Sequence, residues 1–305
     1  MVDDSAAAAT RCGFIALIGA PNVGKSTLVN ALVGSKVTIV SRKVQTTRAL
    51  IRGIVIEGQS QIILVDTPGI FSPKRRLDRA MVTTAWSGAH DADLVCVLLD
   101  AKMGLNDEAD AILNRAPSVA HDKILIVNKV DLVPREKLLA LVQAANERLT
   151  FTHTFMVSAL SGDGVDDVLR TLAAMVPPGP FHYPEDQMSD APMRHLAAEI
   201  TREKIYSHLH QELPYQSTVE TDSWTERKDN SIRIEQTIFV ERDSQRKIVL
   251  GKGGATIKSI GAQSRKEIAE ITGVPVHLFL FVKVRENWGD DPERYREMGL
   301  EFPKE

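Results

Sequence analysis

The sequence predicts an α/β domain, in which helices cover both faces of a mostly parallel sheet, followed by a smaller α+β domain. Strand-like apolar runs alternate with helix-like segments between residues 13 and 176, which is typical of parallel sheets. The run Pro177-Pro178-Gly179-Pro180 then interrupts regular structure. Beyond residue 192 the order is a helix, two alternating strands, two helices joined by a Gly-rich turn, and a last strand.

The first domain is predicted to contain strands and helices in regular alternation. The strands are apolar runs bounded by turn residues, near residues 14–19, 49–57, 61–66, 94–99, 123–128 and 153–157. The helices are the segments between them, near residues 25–33, 77–89, 107–115, 135–148 and 164–175. Because ligands of such folds bind beyond the carboxyl ends of the strands, we expect the functional residues there.

The first of these strand ends carries the pattern G-x-x-x-x-G-K-[ST], which favours a phosphate-binding loop. Its glycines let the backbone fold around an anion, and the amides at the start of the next helix point at it. The lysine would reach the β- and γ-phosphate oxygens, and the serine hydroxyl would ligate Mg²⁺. The loop consists of Gly19, Ala20, Pro21, Asn22, Val23, Gly24, Lys25, Ser26 and Thr27.

A second strand end delivers Asp66, Thr67, Pro68 and Gly69. An acid in this place holds the Mg²⁺ shell as a Walker-B aspartate does. Gly69 has no Cβ, so its amide is free to approach a γ-phosphate. We therefore expect Asp66 to serve the metal and the whole tetrapeptide to bind the nucleotide.

Two further strand ends indicate which base is bound. Asn128, Lys129 and Asp131 follow one of them, and the Asp131 carboxylate can accept two hydrogen bonds from the N1–H and N2–H₂ edge of guanine. Adenine lacks this pair of donors, and a site built on such a pair rejects the analogue by roughly 10⁴ or more. After the last strand a backbone N–H would meet guanine O6, and the residues there are Ser158, Ala159 and Leu160. The predicted ligand is GTP or GDP.

Length and composition limit the class of protein. A chain of 305 residues, 43% apolar and 25% charged, has the composition of an ordinary soluble protein of two domains. Its cysteines, Cys12 and Cys96, are too few for a metal site and indicate free thiols in a reducing compartment. No run approaches the roughly 18 apolar residues that span a membrane. We expect a cytoplasmic protein, with attachment to the inner membrane surface as an open alternative.

The Gly-rich turn of the second domain predicts RNA binding. It joins two helices and has apolar residues on both sides, which is how a KH module clamps about four nucleotides. The glycines permit backbone contact with phosphate, and the apolar wall takes the bases. The predicted RNA-binding residues are Val249, Leu250, Gly251, Lys252, Gly253, Gly254, Ile257 and Lys258.

The distribution of charge supports this prediction. The whole chain has a net charge of −3, but residues 241–285 carry nine Lys and Arg against four acids. Residues 286–305 carry three basic and seven acidic residues, which hide the basic part in the total. Phosphate binding depends on the local patch, so we expect RNA and no DNA.

The sequence thus divides into five segments. We expect an N-terminal tail over residues 1–12, a GTP-binding domain over 13–178, a linker over 179–192, a KH domain over 193–287 and an acidic C-terminal tail over 288–305. The prolines and polar residues of the linker predict that the two domains can reorient.

Together these motifs resemble the bacterial Era family of GTPases. The match rests on G-A-P-N-V-G-K-S-T, on Q-T-T-R at residues 45–48, on D-T-P-G and N-K-V-D, and on the KH module after a single GTPase domain. The resemblance covers nearly the whole chain. It implies a P-loop GTPase with a type II KH domain that grips the 3′ end of small-subunit ribosomal RNA during assembly of the 30S subunit. It also implies a peripheral contact with the inner face of the cytoplasmic membrane, which the sequence neither supports nor forbids.

Two loops are expected to respond to the γ-phosphate. Residues 35–48 would form the first switch, and the segment from Asp66 to Arg76 the second. Thr47 is the expected Mg²⁺ ligand that engages only when a γ-phosphate is present, with Thr46 as the near alternative. Loss of the γ-phosphate would release both loops.

Hydrolysis is expected to be slow. The residue after D-T-P-G is Ile70, so no glutamine is there to orient the attacking water. Catalysis would rely on Mg²⁺, on Lys25 and Thr47, and on backbone positioning at Gly69. Asn22 matches the asparagine that holds potassium in related GTPases, so K⁺ is an expected accelerant.

The sequence is compatible with three classes of function. In the first, slow Mg²⁺-dependent GTP hydrolysis times the binding of RNA. In the second, GTP only shapes an RNA-binding surface and hydrolysis is incidental, with membrane association and a link to growth or cell-cycle control. We favour the first because Thr47 and Gly69 would be needless in a passive clamp. The third, a metabolic P-loop kinase or ATPase, is disfavoured by Asp131.

Overall fold

The computed structural model describes residues 10–209, 213–286 and 288–303. The chain divides into two compact units. The first contains the residues up to Thr38 together with Thr47–Asp190, and the second contains Ile39–Thr46 and the residues from Ala191 onward. Most of the predicted N-terminal tail, residues 1–9, lies outside the described residues.

The first unit is built on one sheet. Its strands are β1 (Arg11–Gly19), β2 (Ile51–Glu57), β3 (Ser60–Asp66), β4 (Leu94–Asp100), β5 (Lys123–Asn128) and β6 (His153–Val157). They lie in the order β2-β3-β1-β4-β5-β6. Only the β2–β3 pair of this sheet, among the described residues, is antiparallel. The prediction of a mostly parallel sheet is confirmed.

Helices cover both faces of this sheet, as predicted. They are α1 (Lys25–Val33), α2 (Arg76–Asp91), α3 (Asp107–Arg115), α4 (Arg135–Arg148) and α5 (Val165–Met175). Successive side chains of β1 point to opposite faces. Ile15 and Leu17 pack with α1 and α5, whereas Ala16 and Ile18 pack with α2 and α3. Burial on both faces explains why the strand is one unbroken apolar run.

Residues 179–190 differ from the expected linker, because they pack on the first unit. The Tyr183 amide donates to Gln61 Oε1 at 3.0 Å, and the Ile54 amide donates to Met188 O at 2.8 Å. Strand β2 is the edge of its sheet, and an edge offers unpaired backbone groups. Proline prevents a helix but allows extended backbone beside an edge strand. A Pro-rich composition is therefore compatible both with a linker and with a segment that covers the edge of a sheet.

The second unit has the predicted α+β order. Its elements are α6 (Met193–His208), β7 (Ser217–Glu226), β8 (Ile232–Val240), α7 (Asp243–Leu250), α8 (Ala255–Thr272) and β9 (Val276–Val284). The strand order is β7-β8-β9, with β7 antiparallel and β9 parallel to β8. No helix within the described ranges is both long and apolar enough to cross a membrane.

The described part of the predicted acidic tail also differs from expectation, because it folds onto the second unit. Trp288 is 2% exposed, and its indole N–H donates to Gln216 O at 2.9 Å. A short helix, α9 (Pro292–Glu297), follows, and Tyr295 is fully buried. The large aromatic side chains of Trp288 and Tyr295 bury enough apolar surface to hold the segment in place, although most of its residues are charged.

Candidate nucleotide and RNA sites

The phosphate loop joins β1 to α1. Asn22 and Gly24 have positive φ angles of 63° and 100°. A Cβ on Gly24 would lie only 2.3 Å from Asn128 Nδ2, so glycine is required there for space as well as for conformation. Helix α1 begins at the next residue and brings the unpaired amides of a helix N-terminus to the loop.

Lys25 is buried inside this loop. Its Nζ donates to Gly19 O and to Ala20 O, each at 3.0 Å. Burial lowers the pKa of Lys25 to about 8, against the attraction of Asp66 and Glu108. A bound polyphosphate would favour the ammonium form again, because an adjacent anion stabilises the charged state.

Asp66 receives hydrogen bonds from three side-chain hydroxyls of the described residues. Ser26 Oγ lies 2.7 Å, Thr38 Oγ1 2.9 Å and Thr47 Oγ1 3.3 Å from Asp66 Oδ2. Ser26 and Thr47 are also 2.9 Å from each other. We call these four residues the hydroxyl–carboxylate cluster. Three of them, Ser26, Thr47 and Asp66, are the predicted Mg²⁺ ligands.

The cluster fits a magnesium ion. Asp66 is fully buried; burial raises its pKa, while the hydrogen bond from Ser26 and the charge of Lys25 oppose the rise. The second oxygen, Oδ1, is buried and has no hydrogen-bond partner among the described residues. A free carboxylate oxygen beside Ser and Thr hydroxyls is a donor set that suits a hard cation.

The structure separates the two threonines that were alternatives in the first switch. Thr47 Oγ1 belongs to the hydroxyl–carboxylate cluster. Thr46 Oγ1 instead donates to Lys43 O at 2.7 Å. The geometry therefore favours Thr47 as the metal ligand.

The second switch begins against the phosphate loop. The Ile70 amide donates to Gly19 O at 3.0 Å, and a Cβ on Gly69 would lie 2.9 Å from Pro21 Cα. The Thr67 hydroxyl donates to a β1 carbonyl at 2.6 Å, so this predicted nucleotide-binding side chain anchors the loop. The Ile70 side chain is 7% exposed and apolar, so it cannot orient a water molecule.

Asn128 connects the base end of the site to the phosphate end. Its Nδ2 donates to Val23 O at 2.9 Å. Its Oδ1 accepts from the Lys129 amide at 2.8 Å and from the Ala159 amide at 3.0 Å. The sequence predicted that Asn128 binds GTP, and the structure adds that its side chain holds three loops together.

Lys129 and Asp131 lie beside this bridge. Lys129 has a positive φ of 64°, and its Nζ donates to Asn22 O at 2.5 Å and to Asp100 Oδ2 at 2.6 Å. Asp131 is exposed in a one-turn 3-10 helix, Val130–Leu132. An exposed carboxylate keeps both oxygens accessible to a base edge.

The loop after β6 offers fewer free amides than the sequence suggested. The Ser158 amide donates to Asp163 O at 2.9 Å. The Ala159 amide donates to Asn128 Oδ1 at 3.0 Å. The predicted contact with guanine O6 is therefore expected from the Leu160 amide, and the Leu160 side chain is 87% exposed.

Sequence reasoning missed two residues of this site, Thr38 and Asp100. Thr38 lies in a loop without periodicity, so no pattern marked it. Asp100 ends β4 at the same sheet edge as Asp66 and Asn128, and that position is a signal that could have found it.

The Gly-rich turn has the backbone form that the clamp needs. Gly251, Gly253 and Gly254 have positive φ angles of 72°, 61° and 78°. A Cβ on Gly251 would meet Thr256 Oγ1 at 2.2 Å, whereas nothing lies within 4 Å of a Cβ on Gly253 or Gly254. Lys252 is exposed beside them. The turn therefore presents open backbone and a cation to solvent.

The apolar wall beside the turn differs in one residue from the prediction. Val249 is fully buried and packs in the core with Ile238 and Ile260, so it supports the wall from inside. Ile248, one position earlier, is 55% exposed and was missed. Leu250, Ile257 and Lys258 are at least partly accessible, as a wall requires.

The middle of the first switch packs within the second unit. Ile39 is 1% exposed and lies in an apolar cluster with Leu196 and Ile200 of α6. The Val40 amide donates to Glu203 Oε1 at 2.8 Å. Helix α6 thus binds the beginning of Ile39–Thr46 through apolar contact and one charge-assisted hydrogen bond.

The end of the same segment is held by its carbonyl groups. The Arg202 guanidinium donates to Thr46 O, and the Tyr206 hydroxyl donates to Gln45 O at 3.1 Å. Arg202 is 1% exposed and also pairs with Glu199. Burial of a paired arginine with hydrogen bonds to backbone gives the contact a defined geometry.

Comparison with known proteins identifies the family. A family model described as 50S ribosome-binding GTPase matches residues 14–129, and a KH domain model matches residues 212–289. GTPase Era of Bradyrhizobium sp. (strain ORS 278) is 92% identical over 297 residues, which cover 97% of this chain and 97% of that protein. The chain belongs to the Era family of GTPases. GTPase Era of Brucella suis biovar 1 (strain 1330) is 66% identical over 300 residues, covering 98% of this chain and 96% of that protein.

Solved Era structures confirm the fold class. A variant of Aquifex aeolicus Era bound to GDP·AlF4⁻ superposes with a TM-score of 0.90 at 36% identity, covering 95% of this chain and 99% of that chain. Era in complex with MgGDPNP and nucleotides 1506–1542 of 16S ribosomal RNA superposes with a TM-score of 0.89, at the same identity and coverage. The P-loop GTPase domain followed by a KH domain is thus an Era-family architecture.

Proposed function

We propose that this Era-family GTPase is a slowly hydrolysing, Mg²⁺-dependent switch that binds the 3′ end of small-subunit ribosomal RNA and assists 30S assembly. The observation that carries the proposal is the agreement along 95% of the chain with the Era structure that holds MgGDPNP and 16S ribosomal RNA. The phosphate loop, the hydroxyl–carboxylate cluster and the Gly-rich turn described above support the proposal of both sites. The place of action would be the cytoplasm, and vesicle flotation of the purified chain tests the peripheral membrane contact.

The nucleotide would lie along the carboxyl edge of the first sheet. The phosphate loop and Gly69 bind the phosphates, and Asp131 selects guanine. Ser26, Thr47 and Asp66 hold Mg²⁺, which neutralises charge on the β- and γ-phosphates. Lys25 adds a second positive charge from the loop interior.

Hydrolysis is proposed to be slow because no polar side chain replaces the missing glutamine at Ile70. Asn22 is exposed in the phosphate loop and is the proposed potassium ligand. Turnover measured in KCl and NaCl, for wild type and Asn22→Ala, tests this role. Equal rates in the two salts would remove potassium from the proposal.

RNA would bind at the Gly-rich turn. The backbone of Gly253 and Gly254 is open to a phosphate, and Lys252 and Lys258 supply positive charge. Ile248 and Ile257 form the apolar side of the clamp. This arrangement suits about four single-stranded nucleotides.

The first switch is the proposed link between nucleotide and RNA. Thr47 engages the metal site when a γ-phosphate is bound, and it directly follows the segment that Arg202, Glu203 and Tyr206 hold. A ligand shifts a conformational equilibrium only by its differential affinity for the two states. The γ-phosphate would supply that difference, because the metal site that it completes draws on Thr47 while α6 holds the residues directly before Thr47.

The decisive experiment measures RNA affinity in three nucleotide states. The full chain is titrated with the 3′-terminal segment of 16S ribosomal RNA while empty, with GDP, and with a non-hydrolysable GTP analogue. We expect the affinity to depend on the nucleotide. Equal affinity in all three states would overturn the switch and leave a passive RNA-binding protein, the alternative function.

A matched pair of variants checks the clamp itself. Gly253→Asp puts a negative charge into the turn, at a φ of +61° where a Cβ meets nothing within 4 Å. Gly273→Asp makes the same change at a φ of +70°, equally open, at the end of α8. We expect only the first to weaken RNA binding. Equal RNA affinity in the two variants would contradict the clamp.

A further inference from the structure

The outer face of the second unit's sheet carries aromatic side chains that the core does not use. Strand β9 is the edge of this sheet. Its Leu280 and Val282 pack toward the helices, whereas Phe279 and Phe281 are 44% and 48% exposed. We call Phe279 and Phe281 the β9 aromatic row. Two half-exposed phenylalanines on alternate residues are an unusual surface for a water-soluble unit.

Positive charge accompanies the aromatic row. The Arg233 guanidinium of β8 lies 4.9 Å from the centre of the Phe279 ring. Lys283 is exposed two residues beyond Phe281, and β9 pairs with β8 in a register that sets it opposite Phe239. The β9 side of the face is therefore aromatic and cationic.

The acidic residues of this face lie on two strands: Glu220 and Asp222 are on β7, and Glu235 is on β8, opposite Phe279. Asp222 Oδ2 accepts from the Thr237 hydroxyl at 2.7 Å. Glu235 accepts from Ser223 Oγ at 3.3 Å and pairs with Arg233. Arg233 and Glu235 offset each other beside Phe279, so an anion would meet Lys283 at the end of β9.

The spacing of the row suits a nucleic-acid strand. Alternate residues of a β-strand lie about 6.6 to 6.8 Å apart on one face. RNA-binding sheets use such exposed aromatic side chains to stack successive unpaired bases. An arginine plane stacks bases in the same way, so the Arg233–Phe279 pair and Phe281 offer two platforms.

The row is also next to the proposed clamp. Leu280 and Val282 of β9 share an apolar cluster with Val249 and Ile257, which flank the Gly-rich turn. One edge strand therefore carries clamp support on its inner face and the aromatic row on its outer face. An RNA strand that leaves the clamp therefore needs to pass only the edge formed by β9 to reach the aromatic row.

We propose that the outer face of β9 is a second contact for single-stranded RNA. Phe281 and the Arg233–Phe279 pair stack two bases, and Lys283 neutralises a phosphate. The inference rests on the proposed function, since the same RNA strand would occupy the clamp first. It explains why an edge strand keeps two phenylalanines in solvent.

The test compares long and short RNA with the full chain. The long probe is the single-stranded 3′-terminal segment of 16S ribosomal RNA, and the short probe is its truncation to about five nucleotides, enough for the clamp alone. Phe281→Ala should weaken the long probe by about tenfold, since stacking on one aromatic side chain is worth 1–3 kcal/mol. The short probe should bind as it does to wild type, and Phe281→Tyr should restore the long probe.

The clamp variant separates this inference from the proposed function. Gly253→Asp should weaken both probes. If it does so while Phe281→Ala and Phe279→Ala bind the long probe like wild type, the second contact is overturned and the clamp stands. If wild type binds neither probe, both proposals fall. Self-association of the wild type that Phe281→Ala abolishes would make the row a protein interface and overturn the RNA contact.

Discussion

The Thr38 hydroxyl donates to Asp66 Oδ2 at 2.9 Å, inside the hydroxyl–carboxylate cluster. Ser26 and Thr47 are proposed to turn to the metal, so Thr38 is the donor that keeps its bond when Mg²⁺ is present. Residues that orient a metal ligand contribute to affinity although they do not touch the ion.

Thr38→Val should therefore weaken Mg²⁺ binding. The substitution replaces the hydroxyl by a methyl group and leaves Asp66 with one donor fewer. We expect the Mg²⁺ concentration that half-saturates the nucleotide complex to rise by about 10- to 100-fold. Titration of Mg²⁺ into the chain with a fluorescent, non-hydrolysable GTP analogue measures it, because the first switch, which contains Thr38, is expected to be held only when a γ-phosphate is bound. Thr38→Ser is the control and should resemble wild type, and an unchanged valine variant would show that Thr38 serves only the fold.

Gly24→Ala should damage the nucleotide site more than the fold. Its Cβ would meet Asn128 Nδ2 at 2.3 Å, at a φ of +100°, so the Asn128 bridge must move. We expect GDP affinity to fall by about 5- to 150-fold, since strain of about 1–3 kcal/mol is usual at such positions. Gly34→Ala is the matched control, because its φ is +74° but nothing lies within 4 Å of a Cβ. Comparable GDP affinity in the two variants would contradict this explanation.

Nucleotide binding should take up a proton above pH 8. Burial holds the pKa of Lys25 at about 8 in the free site, whereas bound phosphate would restore it toward the ordinary lysine value. At a pH between these two pKa values, Lys25 is mostly neutral in the free site and charged in the nucleotide complex. GDP affinity should therefore fall by about tenfold per pH unit from pH 9 to 10. Calorimetry in two buffers of different ionisation enthalpy measures the uptake. Equal apparent enthalpies in both buffers at pH 9 would exclude it.

Lys25 also makes the free energy of unfolding depend on pH, and this quantity rises with pH whereas GDP affinity falls. Its folded pKa is below the unfolded value, so the unfolded chain binds more protons between about 8 and 10.5. The contribution of Lys25 to the free energy of unfolding therefore rises with pH across this window and is lost as the pH falls through it. Chemical unfolding of the nucleotide-free chain at pH 8 and pH 9.5 measures this, and the rise between the two pH values should be smaller in Lys25→Met than in wild type.

Tyr206→Phe should loosen the first switch on α6. It removes the hydroxyl that donates to Gln45 O and that also shares a hydrogen bond with Arg202; the bond to Gln45 O is worth about 0.5–1.5 kcal/mol. We expect roughly 2- to 12-fold faster hydrogen exchange at the Val40 amide, which is bonded to Glu203. Amides in the centre of β8 are the internal reference. Equal acceleration there would indicate a loss of global stability instead.

The nucleotide site was predictable where chemistry imposes a pattern. Gly24, Lys25 and Asp66 follow strands of clear apolar periodicity, and a parallel sheet brings strand ends to one edge whatever the loops do. Thr38 could not be predicted, because a hydroxyl in an irregular loop has many possible partners. The bridging role of Asn128 depends on contacts from three loops, which no local pattern contains.

Burial limited the prediction of the RNA wall and of the tail. Helical periodicity placed Val249 and Leu250 near the turn but did not decide which side chain faces the core. Trp288 and Tyr295 are isolated among charged residues, so composition indicated only an acidic tail. In both cases the missing information was the packing partner, which lies far away in sequence.

The cover on β2 has a consequence for shortened forms of this chain. Ser189 bridges to Gly53, and Asp190 pairs with Arg52 at 2.6 Å, so the border strand offers little backbone to a neighbouring molecule. A truncation at residue 178, where composition alone ends the domain, would strip that border and invite intermolecular strand pairing. A truncation after Asp190 would keep the isolated GTPase monomeric at high concentration.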